Sequence, residues 1–314
     1  MSSSRTRRDF LRTASLGAGA LALPWWACTP AKLGPDFTLA FMTDIHVDGR
    51  RHAPEGFSKA VKHLSTFDRT PELLITGGDL AYDILAKKPD QADEQYRLFD
   101  SCLEDLSMPV HHVMGNHDVL GIYEKSGMEP GEELYGKQYF LNRFKRERTY
   151  TSFNHHDWHF VLLDTVGISD RSYIGYVDEE QLDWLEKDLR SCNKPTVIFG
   201  HIPLFTNYSE LQEGIVEPDH PMAVINNVDD VARVIYSFPV VKLVIAGHLH
   251  INESWQYKGI EFANIGAVSG HWWRGPHDGC QEGFALLSFR GEEVGWGYVD
   301  YGWEVPADVD TEGW

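Results

Sequence analysis

Five short segments of this chain each follow an apolar run of strand length, and each carries side chains that bind metals. They are Thr43-Asp44-Ile45-His46, Gly77-Gly78-Asp79, Gly115-Asn116-His117-Asp118, Gly200-His201 and Gly247-His248-Leu249-His250. Few folds accommodate such a pattern. Short apolar runs bounded by turn residues read as buried strands, and helical stretches between them make a largely β-α-β sheet. In open α/β sheets, sites gather beyond the carboxyl ends of the strands, where all five segments lie. Residues two apart on an extended chain point the same way, so Asp44 and His46 can face one centre, as can His248 and His250. The glycine before most of these residues lets the backbone turn sharply and approach closely. One Asp or His at a strand end is an ordinary structural residue; five such segments in one chain predict a site.

The strand signals fall at 37–42, 73–76, 110–114, 160–163, 196–199 and 241–246. Helical stretches are expected at 54–67, 92–106 and 179–189, the last with Leu182, Leu185 and Leu189 at helical spacing. Shorter strands follow at 254–257, 260–263, 284–289 and 294–299, joined by turns without helix signals. No internal repeat, linker or charge block marks a second domain, so 37–314 reads as one α/β domain whose last strands extend or back the sheet.

The 314 residues carry a formal charge of −19, which disfavours a nucleic-acid polymer or an anionic membrane surface as partner. Hydrophobic residues at 42% and aromatics at 12% suffice for a packed core. Cys28, Cys102, Cys192 and Cys280 show no CxxC spacing, against a zinc knuckle or thioredoxin-like site. Cys102 and Cys192 read as core residues, and a disulfide among Cys102, Cys192 and Cys280 is left open.

Residues 1–36 read as an address and a tether. Ser4-Arg5-Thr6-Arg7-Arg8-Asp9-Phe10-Leu11 precedes an apolar run, 16–23, too short to span a bilayer. The pattern resembles a twin-arginine export signal, implying the twin-arginine machinery as a partner and a periplasmic or other extracytoplasmic location. Cys28, after Trp25-Trp26-Ala27, is a candidate lipoprotein anchor and would be the chain's one link to a membrane; Ala20-Leu21-Ala22 is the competing cleavage signal.

The ordered set of five motifs resembles the calcineurin-like metallophosphoesterase superfamily, over essentially the whole span 37–299. The resemblance implies a four-layer α/β sandwich, two mixed β-sheets flanked by helices, with a dinuclear metal site along one sheet edge. Carried onto this sequence, one metal would be held by Asp44, His46, Asp79 and His250, the other by Asp79, Asn116, His201 and His248, with Asp79 bridging. Imidazole, carboxylate and amide donors suit Mn, Zn, Fe, Co or Mg, and the lack of thiolates disfavours a structural zinc centre. Two divalent ions bring +4 against −2 from Asp44 and Asp79, so the site is cationic and attracts phosphate within an acidic protein. Metals about 3.5–4 Å apart can bridge a hydroxide and brace in-line attack on phosphorus. His117 looks like the family's non-ligand histidine, stabilising phosphoryl oxygens or protonating the leaving oxygen, with Asp118 either orienting its ring or serving structurally.

Gly78-Asp79-Leu80-Ala81-Tyr82 is similar to the Gly-Asp-x-x-Tyr of purple acid phosphatases, whose tyrosine ligates ferric iron. Those enzymes lack the histidine found here at His46, so Tyr82 reads as packing or substrate-lining. Asp44-x-His46 looks more like the branch holding bacterial cyclic-nucleotide phosphodiesterases. Candidate substrate contacts are Arg50, Arg51 and His52, which follow the first motif, His220 in the segment 204–222, and His271, Trp272 and Trp273 in a Gly-rich loop. Those tryptophans form a stacking wall or a packed lid. His155, His156 and His159 are expected at the surface. The expected activity is hydrolysis of a small phosphate mono- or diester. The alternatives are a phospholipid head group or lipid-linked phosphate and, in a different class, a non-catalytic binding module on the same fold.

Overall fold

A computed structural model describes residues 36–208 and 222–311. Thirteen strands alternate with helices over this span. One sheet contains β1 (Phe37–Met42), β2 (Leu73–Thr76), β3 (Val110–His112), β12 (Gly283–Arg290) and β13 (Glu293–Asp300) in the order β13-β12-β1-β2-β3. The other contains β4 (Thr151–His155), β5 (Trp158–Leu162), β8 (Thr196–Phe199), β9 (Val241–Ala246), β10 (Glu253–Tyr257) and β11 (Ile260–Asn264) in the order β10-β11-β9-β8-β5-β4. β1, β2 and β3 run parallel, as do β5, β8, β9 and β11. Antiparallel strands complete both sheets.

The two-residue period of a strand sorts its side chains between two cores. On β1, Leu39 and Phe41 turn inward and meet Phe160, Phe199, Ile245 and Leu287 between the sheets. Ala40 and Met42 turn the other way, into a cluster holding Phe57, Ala60, Tyr96 and Phe99 of α1 (Ala53–His63) and α2 (Pro89–Leu103). Val161, Ile198 and Val244 likewise back onto Leu185 and Leu189 of α4 (Glu179–Ser191) and Val231 and Ile235 of α5 (Val228–Tyr236). The result is the four-layer arrangement of two mixed sheets between helices. The closing strands do not simply extend one sheet: β10 and β11 join the second sheet, and β12 and β13 return to pair with β1.

Several elements lack a strong periodic signal. A short α3 (Gln138–Phe144) precedes β4, and a two-stranded hairpin, β6 (Val166–Ser169) with β7 (Ser172–Gly175), projects between β5 and α4. Cys102, Cys192 and Cys280 are free thiols. His155 and His156 are partly exposed as expected. His159 is buried instead, 2.7 Å from Asp188 Oδ2, because it lies on the strand rather than the turn. Arg7, Arg8 and Cys28 lie outside the described residues.

Candidate active site

β1, β2, β3, β8 and β9 all point their carboxyl ends at the same edge of the sandwich, three from one sheet and two from the other. The five motifs follow those ends and converge there. The device differs from simple strand alternation. Asp44, His46, Asp79, His248 and His250 all have positive φ, between 47° and 73°. Non-glycine residues rarely adopt this left-handed conformation, and such strain concentrates at functional sites. Backbone bonds hold it here: Ile45 N and His46 N both donate to Asp79 O, at 3.0 and 2.9 Å. Two glycines make room, since a Cβ at Gly115 would fall on Asp79, and one at Gly247 on Thr43 and Asp44.

Two groups of donors form. Asp44, His46 and His250 make one, and Asp79, His201 and His248 the other, with donor atoms within 4.8 Å of one another in each. Asp79 Oδ2 sits 3.2 Å from His201 Nε2 and 3.6 Å from His46 Nε2, between the groups, where a bridging carboxylate would stand. Asp44 Oδ1 is 3.3 Å from His250 Nε2 and, although buried, has no hydrogen-bond partner. Asn116 Oδ1 lies 3.0 Å from His201 Nε2.

Backbone carbonyls set the tautomer of each imidazole. His46, His201 and His250 donate from Nδ1 to the carbonyls of Tyr82, Gly77 and Gly270, which leaves Nε2 directed at the centre. His248 is reversed: Nε2 donates to Met222 O and Nδ1 is left over. Pinning the far nitrogen by a carbonyl is how metal-ligating histidines are oriented. One consequence is an unfavourable contact. His46 Nε2 and His250 Nε2 stand 3.2 Å apart with both Nδ1 protons committed elsewhere, so two lone pairs face each other unless a cation or proton intervenes.

The electrostatics agree. Burial alone would raise Asp44, yet facing His250 and His201 hold its carboxyl well below the usual range; Asp79 is held low against burial by His201 and His117. Burial drives His46 down to about 3 and His248 to about 4. His201 goes the other way, to about 9: burial opposes its charge, but Asp79 and Asp44 prevail. Its second proton occupies the position a cation would take. Two carboxylates, one amide and four carbonyl-pinned imidazoles therefore fit two divalent cations of the borderline type.

His117 stands beside this set, its ring 5.1 Å from that of His46. Its backbone N–H donates to Asp79 Oδ1 at 2.8 Å, and its Nδ1 is 3.6 Å from Asp83 Oδ1. Burial disfavours its charge, but Asp79 and Asp83 raise its pKa. Asp83, not Asp118, is thus the carboxylate facing the ring. Asp118 is turned away from it and accepts from Gly115 N, Leu80 N and the Tyr96 hydroxyl, clamping the second and third motifs together. Burial, followed by the nearby charge of Asp79, pushes it up to about 6. Asp83 follows Asp79 by four residues but precedes no metal motif of its own, and the carbonyl anchors have no side-chain signature.

The candidate substrate contacts separate into rim and interior. Trp272 stacks on the His46 ring at 3.9 Å and stands edge-on to His117 at 4.9 Å and Tyr82 at 5.0 Å. Arg50 lies over the Tyr82 ring at 4.2 Å and pairs with Asp48, while Arg51 Nη1 donates to Trp272 O. These four form one rim. His271 is at the same loop, 5.3 Å from the His277 ring. Trp273 is a correction: it is 1% exposed, donates from Nε1 to Ile45 O and His46 O, and packs where a Gly56 Cβ would be, supporting the first motif from behind. His52 faces away, towards Asp308 and Glu55. His220 lies outside the described residues.

A family model described as calcineurin-like phosphoesterase matches residues 37–252. A 3',5'-cyclic-nucleotide phosphodiesterase of Nostoc sp. is 28% identical over 222 residues, 68% of this chain and 71% of the relative. The 3',5'-cyclic adenosine monophosphate phosphodiesterase of Escherichia coli K12 is 23% identical over 225 residues, 67% of this chain and 68% of the relative. In fold, the chain is similar to a dimetal phosphatase from Danio rerio, with a TM-score of 0.57 and 17% identity over 85% of this chain and 99% of that one.

Proposed function

The chain belongs to the calcineurin-like phosphoesterase family, a metal-dependent hydrolase of phosphoric esters, and from that premise we propose that its substrate is a small phosphodiester carrying a flat group such as a nucleobase. The relatives named as cyclic-nucleotide phosphodiesterases support this reading. The observation that carries it is the rim: the Trp272 and Tyr82 rings and the Arg50 and Arg51 guanidinium groups, which lie over Tyr82, gather next to His46. Bases stack on such rings, and guanidinium groups pair with phosphate oxygens. A lipid-linked phosphate would call for an exposed apolar rim, whereas Trp273 is buried and Trp272 lies against His46.

In this reading Asp44, His46, Asp79 and His250 hold one cation, and Asp79, Asn116, His201 and His248 the other. When bound, the two cations supply Lewis acidity towards the phosphoryl oxygens and acidify the attacking water. The chain supplies the rest. The carbonyls of Gly77, Tyr82, Gly270 and Met222 fix the imidazoles in their ligating tautomers. With Asp79 holding a cation, Asp83 would be the charge left to keep a proton on His117. That proton passes to the leaving ester oxygen. Arg50 and Arg51 orient the phosphate, and Trp272 excludes water from the His46 face.

The test is hydrolysis of bis-p-nitrophenyl phosphate, p-nitrophenyl phosphate and cyclic AMP by protein reconstituted with Mn, Zn, Fe, Co or Mg. Diester turnover above monoester turnover is expected, with Trp272→Ala raising KM for cyclic AMP. No turnover with any metal would sink the reading.

We also propose export by the twin-arginine route, on the strength of Arg7-Arg8 ahead of a short apolar run. Arg7→Lys with Arg8→Lys should leave the protein in the cytoplasm on cell fractionation; continued export would refute the proposal.

A further inference from the structure

A second constellation of ligating side chains lies at the opposite edge of the sandwich. Glu72, immediately before β2, accepts at one oxygen, Oε2, from His155 Nε2 at 2.9 Å and His156 Nε2 at 2.8 Å. All three donor atoms fall within 4.8 Å of one another. Asp79 follows the carboxyl end of β2 and Glu72 precedes its amino end, so this group is separated from the catalytic set by the length of the strand.

Its geometry is held from below and from both sides. His155 ends β4, and His156 opens the two-residue turn to β5 in a left-handed conformation with φ of 51°. Both rings rest on Phe37, with centroids at 5.1 and 5.0 Å, and Phe37 is itself buried. Glu72 is anchored by its own backbone, whose N–H donates to Thr38 O at 2.9 Å. Side-chain exposures of 39%, 26% and 29% for Glu72, His155 and His156 leave the open positions of a bound ion to water.

We infer that Glu72, His155 and His156 form a further divalent transition-metal site, outside the catalytic centre, that ties the two sheets together. Two imidazoles and a carboxylate are the donors that Zn, Co, Ni and Cu take, and three protein ligands with open positions form a complete set of this kind. One carboxylate against a divalent charge leaves the ion net positive, which the acidic protein around it favours. Glu72 leads into β2 of one sheet, while His155 ends β4 and His156 opens the turn to β5 of the other. The ion therefore bridges the sandwich at the edge that the catalytic metals do not reach, and its binding stabilises the folded chain.

The experiment uses the full chain with its catalytic metals already loaded, titrated with Zn(II) and, separately, Co(II). Bound metal is counted after gel filtration, Tm is followed by calorimetry, and the cobalt spectrum is recorded. Native protein is expected to take up one equivalent more than Glu72→Gln or His156→Ala, with the same phosphoesterase activity in all three. Its Tm rises with added zinc, and both variants lose that rise, with affinity falling about 100-fold. The cobalt absorption of the extra equivalent disappears in Glu72→Gln, a near-isosteric change that decides the matter if His156→Ala disturbs the turn. Equal metal counts in native protein and Glu72→Gln, or a zinc-dependent Tm rise that survives Glu72→Gln, would overturn the proposal.

Discussion

At His117, two carboxylates determine whether the ring carries a proton: Asp79 through space and Asp83 at 3.6 Å. Truncation to His117→Ala should leave both metals bound and reduce kcat by about 100-fold or more, the scale of general acid catalysis. Asp83→Asn should lower kcat by about tenfold with KM unchanged and move the alkaline limb of the pH profile down; an unchanged profile would remove Asp83 from the mechanism. A half-buried imidazole away from the site makes a separate test. Burial, then Arg146, lowers His112 to about 3. A histidine with a depressed folded pKa contributes stability that is present above its unfolded pKa, about 6.5, and lost as pH falls below it. Between pH 7 and 5 this one group should cost about 2 kcal/mol, read from urea unfolding, and His112→Asn should flatten that dependence. Individual residues were legible where chemistry follows from type and position, as for the seven donors. Asp118 stood between two roles, and the structural one holds, because a carboxylate beside His117 in sequence turns to two backbone donors and a hydroxyl. Trp273 was not legible, since its burial depends on a glycine, Gly56, on another element.

The site owes its shape to how the elements end. Four of the five strands are short, largely apolar runs with a polar terminus, so their existence and the edge where the donors gather could be read from residues alone; β3 carries two histidines and takes its place by pairing with β2. The left-handed turns could not be read so, since Asp44 and His46 carry no glycine-like signature and are held by bonds from Asp79 and Gly78, which come from another strand. The partition of β10–β13 between two sheets was equally hidden, because strand pairing is a tertiary choice. Helix α5 did carry a signal, Val228, Val231 and Ile235 at helical spacing, in a stretch where no helix was expected. Close approach between strand ends gives the element-scale prediction. Gly247→Ala would place a methyl group on Thr43 and Asp44 while leaving both strands intact. The variant should keep its far-ultraviolet circular dichroism and lose metal at the Asp44 group, measured by metal analysis; full metal content would show that the first and last motifs do not meet this closely.

Across the whole molecule, two sheets are pressed face to face by an apolar core, and at one edge that core ends in buried charge and facing lone pairs. Asp44 and Asp79 are at 0% and 2% exposure, and the His46–His250 contact has no proton of its own to relieve it. Such an edge opposes the joining of the sheets until cations neutralise it, so metal binding and folding should be strongly linked. At free metal about 100 times Kd, each ion adds about 2.7 kcal/mol. Two ions then correspond to a Tm loss on the order of 10 °C when both are removed. Calorimetry before and after chelation, with metal content checked on the same samples, should show this fall and its reversal on adding metal back. Asp79→Asn removes the shared carboxylate and should make Tm nearly insensitive to chelator. If native protein stripped of metal melted at the same temperature as the loaded form, the buried donors would be self-satisfied and the linkage between site and sandwich would be wrong.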